Sequence, residues 1–212
     1  MEKFILLGAS RGLGWETYKI LHARYPQAFF LISSRKIEQK KNELLDRTVI
    51  FSQDFSKPEF DLNFIKTLQD FKPTCVIYFA GGGPYGKFQS KKWSDHKWAL
   101  QTSFLYPAEL THHILSEPAH WPALLKIVLI GSSVAEQNPD PLASSYSAAK
   151  HALKGLVESV NAEQSPFAKL LLFSPPYMLT DMLPVNSHPR LNDRAENPLV
   201  VAERLIEYIE KA

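Results

Sequence analysis

The sequence has little of several features that would place it in a particular class of protein. Its 212 residues include one cysteine, Cys75, which excludes an internal disulfide and favours a reducing compartment. The opening residues MEKFILL hold no apolar run of signal or transmembrane length, because that run stops at Gly8. Lys plus Arg number 24 against 22 Asp plus Glu, a balance that gives no support for nucleic-acid binding. We therefore expect a cytoplasmic protein that binds neither membrane nor nucleic acid.

A glycine-rich turn between an apolar run and a helical pattern is the first informative feature that is present. Phe4–Leu7 has the length and character of a strand buried on both faces. Gly8, Gly12 and Gly14 follow, and glycine lets a backbone approach a pyrophosphate beside the free N–H groups of a helix N-terminus. The turn is predicted to bind a phosphate group, and a simple tight turn is the alternative. Its other residues are Ser10, Arg11 and Leu13.

Six short apolar runs alternate with stretches of helical length, which is the pattern of a doubly wound parallel sheet. Right-handed crossovers place helices on both faces, so we expect one three-layer α/β domain over residues 1–212. The irregular stretch 183–197 is either a substrate lid or a plain connection. The six runs are Phe4–Leu7, Ala28–Ile32, Thr48–Phe51, Cys75–Phe79, Ile127–Ile130 and Leu170–Phe173.

Ser133, Tyr146 and Lys150 form a candidate catalytic group. Tyr146 and Lys150 are four residues apart at the start of a predicted helix and therefore lie on one face. Ser133 follows the fifth strand and is expected at the same edge of the sheet. A neighbouring ammonium stabilises a phenolate, so the pKa of Tyr146 is expected to fall toward the working range. The tyrosine is then able to exchange a proton with a carbonyl or alcohol oxygen that the serine holds.

Together these residues resemble the short-chain dehydrogenase/reductase family, in its single-domain branch. The glycines match that family's G-x-x-x-G-x-G turn, and Ser133, Tyr146 and Lys150 match its catalytic triad. The resemblance implies a Rossmann sheet of strand order 3-2-1-4-5-6 and hydride transfer between a nicotinamide and a carbonyl or alcohol, with Tyr146 as general acid/base. Further matches are Asp54 at the adenine, Ala80 and Gly81 from the family's Asn-Asn-Ala-Gly motif, and Pro175 and Thr180 over the nicotinamide.

The chain departs from the family pattern at several positions. Ser103 stands where the family has a fourth catalytic residue, an asparagine that holds a water for proton relay. Tyr78 and Phe79 replace two asparagines whose amides brace the central strands, and Pro176 replaces a glycine. The last helix is not followed by the usual seventh strand. The alternative functions are therefore a catalytically weak NADP(H)-binding sensor or scaffold and, further off, a sugar-nucleotide epimerase or dehydratase.

The residues at the end of the second strand indicate which cofactor is bound. An acidic residue there would accept hydrogen bonds from a ribose 2′-hydroxyl and favour NAD. Here Ser33, Ser34 and Arg35 occupy that end, and Arg35 with Ser34 suits a 2′-phosphate. Arg11 is placed to reach the same phosphate. NADP(H) is the predicted cofactor, and a solvated surface role is the alternative for Arg35.

The remaining predictions concern partners and the substrate pocket. Helices over 103–115 and 146–160 are expected to form a homodimer, because the second helix carries a small-residue stripe beside its apolar face. No metal site is expected, since His112 and His113 are adjacent and face different ways. Three aromatic residues follow the fourth strand and belong either to an apolar substrate pocket or to the core or surface. They are Tyr85, Trp93 and Trp98.

Overall fold

Six strands form a single parallel sheet in the computed structural model, which describes residues 1–137 and 140–212. The strand order is β3-β2-β1-β4-β5-β6, and each neighbouring pair is parallel. This arrangement confirms the predicted fold class and strand order. The strands are β1 (Lys3–Leu7), β2 (Phe29–Ser34), β3 (Thr48–Ser52), β4 (Cys75–Tyr78), β5 (Leu125–Ile130) and β6 (Ala168–Phe173).

The predicted strands differ from the observed ones only at their ends, and β2 is the case that matters. It was expected to stop at Ile32 but continues through Ser34, with Ser33 opposite Phe51 and Ser34 opposite Ser52. The pairing with β3 keeps these two serines in the sheet although they are polar, and both are buried. Ser33 and Ser34 are therefore held by pairing between β2 and β3, and Arg35 is the first residue after β2.

Helices cover both faces of the sheet, because successive strand residues send their side chains to opposite sides. Phe4 and Leu6 belong to a core shared with α1 and α8, whereas Ile5 and Leu7 belong to a core shared with α2, α4 and α6. The helices are α1 (Gly12–Arg24), α2 (Leu62–Phe71), α3 (Trp93–Leu100), α4 (Tyr106–Ser116), α5 (Ser133–Glu136), α6 (Ser144–Ala162), α7 (His188–Leu191) and α8 (Pro198–Lys211).

A π-helical turn over Gln101–Leu105 joins α3 to α4 and turns Ser103 into the interior. Such a turn interrupts the regular helical hydrogen bonds. The buried Tyr78 hydroxyl donates to the Thr102 carbonyl at 2.8 Å and so ties the turn to β4. Loss of the family's asparagine at position 78 was expected to remove a side-chain hydrogen bond that supports the central strands. Tyr78 instead makes a different hydrogen bond, to the Thr102 carbonyl.

The stretch 183–197 is not wholly irregular, since it contains the short helix α7. The Arg190 guanidinium donates to the Thr180 carbonyl at 2.8 Å, and Met178 forms a bridge with Glu196. These contacts fold the stretch back against the segment that follows β6. Within the described ranges, no helix has the length and apolar character needed to cross a membrane.

Candidate active site

A cavity of about 890 Å³ opens at the carboxyl edge of the sheet and is lined by residues that follow both β1 and β4. These two strands are neighbours where the strand order reverses, which is where open α/β sheets bind ligands. The structure brings all the predicted cofactor-contacting residues to the wall of this one cavity. They are Gly8, Ser10, Arg11, Gly12, Leu13, Gly14, Ser34, Arg35, Asp54, Ala80, Gly81, Tyr146, Lys150, Pro175 and Thr180.

The glycine turn has the shape that a phosphate cradle needs. Gly8 has a φ of 84°, and a Cβ added to it would lie 2.5 Å from the Ala80 backbone nitrogen, so no other residue fits there. The helix α1 begins at Gly12, and its N-cap residue Arg11 makes no side-chain hydrogen bond to the first turn. The N–H groups of that turn therefore stay available at the positive end of the helix dipole.

The end of β2 carries a buried hydroxyl without a hydrogen-bond partner. Ser34 Oγ lies in the cavity wall and makes no hydrogen bond to the protein, and the exposed Arg35 follows it. The Arg35 Nε lies 3.9 Å from Asp54 Oδ1. Burial would raise the pKa of Asp54, but hydrogen bonds from Ser56 and the Arg35 charge outweigh it and lower that pKa. An unpartnered hydroxyl beside a guanidinium suits a ligand rich in acceptors, such as a phosphate ester.

Tyr146 and Lys150 lie in the first turns of α6 at the other end of the cavity. The Lys150 ammonium donates to the Ile130 carbonyl at 2.6 Å and lies 5.5 Å from the centre of the Tyr146 ring. Burial lowers the pKa of Lys150 to about 8, opposed by the negative charge of Glu136. Burial raises the pKa of Tyr146 to about 12, opposed by a hydrogen bond with Ser132. The expected fall in the tyrosine pKa is therefore wrong, because burial outweighs stabilisation of the phenolate.

Ser132 and the predicted Ser133 are placed differently in the structure. Ser132 lines the cavity and lowers the pKa of Tyr146. The Ser133 hydroxyl donates instead to the Pro175 carbonyl at 3.2 Å, as does its backbone N–H at 3.0 Å. Ser132 is the extended N-cap of α5 and Ser133 is its first helical residue, so the two side chains point in different directions. The serine hydroxyl beside Tyr146 belongs to Ser132.

Glu136 is a polar component of the site that the sequence argument missed. Its Oε1 accepts the Ser132 N–H at 3.0 Å and the Ser174 hydroxyl at 2.7 Å, which ties the end of β5 to the end of β6. Its charge also raises the pKa values of both Tyr146 and Lys150. Ser133 and Glu136 have the spacing of a capping box in the sequence, but the N-cap is Ser132, and Glu136 accepts from its N–H instead.

Ser103 is fully buried and braces the loop after β4. Its hydroxyl accepts the Gly82 N–H at 3.0 Å and donates to the Gly82 carbonyl at 3.1 Å. A Cβ on Gly81 would lie 3.3 Å from both Ser103 Oγ and Lys150 Nζ, so the serine and the lysine flank that glycine. The serine hydroxyl is thus engaged with backbone on both sides, although it does not line the cavity itself. A direct part in proton transfer stays a prediction.

Two of the three predicted pocket aromatics reach the cavity. Tyr85 and Trp98 line it, whereas the Trp93 side chain is 64% exposed and lies outside it. Trp93 begins α3 and is exposed, which agrees with the surface role that was the alternative for it. Across the described parts of the chain, no three His, Cys, Asp or Glu side chains are grouped closely enough to hold a metal ion.

The sequence pattern of the short chain dehydrogenase family matches residues 2–190, which is most of the chain. The chain belongs to the short-chain dehydrogenase family. This is a family of oxidoreductases, and its members share the sheet and the glycine turn described above. The dehydrogenase/reductase SDR family member 7B of Xenopus tropicalis is 27% identical over 198 residues. That alignment covers 84% of this chain and 61% of the relative, so this short-chain dehydrogenase spans about three fifths of the relative's length.

Solved structures support the same fold for this short-chain dehydrogenase. A short-chain dehydrogenase from Sphingobium yanoikuyae in complex with NADPH has a TM-score of 0.82 at 16% identity, and the match covers 100% of this chain and 85% of that one. A 4-hydroxyisoleucine dehydrogenase complexed with NADH has a TM-score of 0.84 at 18% identity, covering 99% and 90%. These identities support the fold alone.

Burial of the Lys150 ammonium makes a prediction about stability. Its pKa of about 8 lies below the ordinary lysine value of 10.5, so the unfolded chain binds more protons between these limits and stability rises with pH there. Replacing Lys150 with Met removes the cost of burying a charge, and it also removes one hydrogen bond to Ile130. The free energy of unfolding of the variant is therefore expected to rise by about 2 kcal/mol at pH 7. The gain should shrink toward zero by about pH 9.5. Urea unfolding at both pH values measures it.

Lys154→Met is the matched control, because Lys154 lies one turn further along α6 and its side chain is 45% exposed. This control is expected to change the free energy of unfolding by less than about 0.5 kcal/mol. A Lys150→Met protein that is less stable than wild type at pH 7 would show that the buried charge is well compensated.

Proposed function

We propose that the protein is an NADP(H)-dependent oxidoreductase that interconverts a carbonyl and an alcohol. The observation that carries the proposal is the convergence of Tyr146, Lys150 and Ser132 at one end of a cavity whose other end is a phosphate cradle. A protein that only bound a dinucleotide would have no need of a proton donor, an ammonium and a hydroxyl at that place. Membership of a dehydrogenase family agrees with this function.

The chain's own residues supply binding and proton transfer in the proposed reaction. The bound cofactor supplies the hydride that reduces the carbonyl carbon, and it accepts that hydride in the reverse direction. The Tyr146 hydroxyl gives its proton to the carbonyl oxygen, while the Ser132 hydroxyl donates a hydrogen bond to the same oxygen. A pKa of about 12 keeps Tyr146 protonated, as an acid must be before it acts. Lys150 is charged below about pH 8 and stabilises the phenolate that forms.

The preference for NADP(H) rests on the end of β2. Arg35 provides a planar guanidinium and Ser34 a buried, unpartnered hydroxyl, both on the cavity wall. Arg11 lies across the glycine turn and now forms a 3.4 Å ion pair with the exposed Asp181. These groups suit a 2′-phosphate, since charge-assisted hydrogen bonds to guanidinium are the strong ones. Relatives of this fold include structures with NADPH and with NADH, so the choice depends on these residues.

A homodimer through α4 and α6 is also part of the proposal. On α6, Ala149 and Leu153 are buried against the sheet, while the small residues of the neighbouring stripe face outward. A Cβ added to Gly155 would meet no atom within 4 Å, which leaves room for a second helix to approach. The outward stripe consists of Ala148, Ala152, Gly155 and Ser159.

A dinucleotide sensor or scaffold is the second candidate, and Ser103 is the observation that favours it. Its hydroxyl is engaged with Gly82, at the position where the family keeps a relay asparagine. This candidate requires tight NADPH binding without turnover of ketones, aldehydes or quinones. It also requires a change of conformation or partner with the redox state of the cofactor. A broad activity panel therefore separates the two functions.

The first prediction for this function concerns the cofactor. Wild type is expected to bind NADPH at least tenfold more tightly than NADH, and Arg35→Ala to remove about tenfold of the NADPH affinity while NADH affinity stays within about threefold. Titration of cofactor fluorescence measures both constants. Lys41→Ala is the control, because Lys41 is an exposed base that does not line the cavity. Equal affinities for the two cofactors in wild type would contradict the assignment.

The second prediction concerns catalysis. Tyr146→Phe removes the proton donor and is expected to lower kcat by a factor of about 10² to 10⁴ without loss of NADPH binding. Ser132→Ala and Ser133→Ala form a matched pair on adjacent residues. Ser132→Ala is expected to lower kcat/KM about tenfold or more, and Ser133→Ala by much less, because its hydroxyl bonds to Pro175. The opposite order would restore Ser133 as the active hydroxyl.

The third prediction concerns the assembly. Light scattering at micromolar concentration is expected to give twice the chain mass. Gly155→Glu adds a charged side chain where no atom of the same chain lies within 4 Å, so it should dissociate the dimer and leave the monomer folded. Circular dichroism of the variant checks its folding. A wild-type monomer, or a dimer that survives Gly155→Glu, would exclude this interface.

A further inference from the structure

The cavity contains a second polar cluster that the proposed reaction does not use. It consists of Tyr85, Asp140 and Tyr177, which come from three different segments, after β4, before α6 and after β6. The Tyr177 hydroxyl donates to Asp140 Oδ2 at 2.8 Å, and the Leu142 N–H donates to Asp140 Oδ1 at 2.9 Å. Tyr85 lines the same cavity, and its pKa is raised by burial and by Asp140. Each member of the cluster lines the cavity and is half-buried.

The donors to this carboxylate are electrically neutral. Burial, together with the nearby Asp140, raises the pKa of both Tyr85 and Tyr177, so their hydroxyls stay protonated and leave the carboxylate charge in place. Among the residues that the structure describes, Asp140 forms no ion pair with Lys, Arg or His, whereas Asp54 and Asp181 on the same wall each face an arginine. A carboxylate accepts about four hydrogen bonds, and two are accounted for here, from Tyr177 and Leu142.

The cluster lies in the same cavity as the proposed reacting group. Tyr177, Asp140 and Tyr146 all line that cavity, and the pKa of Tyr177 is raised by both Asp140 and Tyr146. Ala143 joins Asp140 to the start of α6, which carries Tyr146, and also lines the cavity. Trp98 and Met182 add large apolar side chains to the cavity lining. A substrate whose carbonyl oxygen meets Tyr146 would share this cavity with a carboxylate that forms no ion pair among the described residues.

We propose that Tyr85, Asp140 and Tyr177 form a substrate-recognition subsite that selects carbonyl or alcohol substrates carrying a cationic ammonium group. The carboxylate attracts the cation, and aromatic side chains stabilise it through their faces. The same carboxylate repels an anionic substrate, so the subsite also discriminates against acids. This inference rests on the proposed oxidoreductase function, because it assumes that the reacting carbonyl lies at Tyr146.

Three acetophenones test the subsite by charge, and a methylene group insulates the ketone from the electronic effect of each substituent. Their para substituents are trimethylammoniomethyl, neopentyl and carboxymethyl, and the first two have the same shape. Wild type is expected to show a kcat/KM at least tenfold higher for the cationic ketone than for the neopentyl ketone, with the carboxylate ketone lowest. Asp140→Asn, which keeps a hydrogen-bond acceptor but removes the charge, should reduce that ratio to within about threefold. A wild-type ratio near one would overturn the subsite.

Two further variants keep this result interpretable. Asp181→Asn removes another carboxylate of the same cavity and should leave the cation-to-neutral ratio unchanged, since Asp181 already faces Arg11. Tyr177→Phe removes one neutral donor and leaves the Asp140 charge, so it should retain the preference for the cation. A Tyr177→Phe protein that loses the preference as completely as Asp140→Asn would assign the effect to loop geometry and overturn the proposal.

A binding measurement separates failure of the subsite from failure of the proposed reaction. The three ketones are titrated by calorimetry into the NADPH complex of Tyr146→Phe, which tests recognition without turnover. Tighter binding of the cationic ketone, lost in the double variant with Asp140→Asn, supports the subsite even if wild type reduces none of the three. Equal reduction and equal binding of all three ketones would leave the oxidoreductase function standing and reject the subsite.

Discussion

Parallel strands end at one edge of their sheet, and the chemistry of this protein depends on the point where β1 and β4 are neighbours at that edge. Their turns leave in opposite directions there, which opens a crevice without any special side chain. Gly8 and Ala80 approach so closely at this point that a Cβ on the glycine has no room. The phosphate cradle and the Tyr146 end are therefore two ends of a single opening rather than two sites brought together by loops.

Much of the Tyr146 end is held by hydrogen bonds to backbone. Lys150 is fixed by the Ile130 carbonyl, and Ser103 by both polar groups of Gly82. Tyr78 holds the carbonyl of Thr102 in the π-helical turn that carries Ser103. These bonds give the buried polar side chains hydrogen-bond partners, although burial of the Lys150 charge still costs stability. The family has asparagines at positions 78 and 103. Here Tyr78 and Ser103 bind backbone groups near the cavity in their place.

The fold was predictable from the sequence because buried parallel strands are apolar without interruption, and such runs are plain to read. The glycine turn and the pair of Tyr146 and Lys150 were predictable because each lies within a single local element. The sequence could not show that Ser132 lines the cavity and Ser133 does not, because adjacent residues point in different directions where a strand becomes a helix. Which of the two hydroxyls acts in catalysis stays a prediction. The predicted fall in the pKa of Tyr146 was wrong because burial raises that pKa, and burial depends on packing by distant segments. Asp140 and Tyr177, from different segments, left no sequence signal that joined them.

The hydrogen bonds around Glu136 and Ser133 have a mechanical consequence. Glu136 holds both the Ser132 N–H and the Ser174 hydroxyl, while Ser133 holds the Pro175 carbonyl twice. These hydrogen bonds join the segment after β5 to the segment after β6 at the cavity. Because these hydrogen bonds join the two segments, the Pro175 segment is not expected to shift without the start of α5, which carries Ser132 and Ser133.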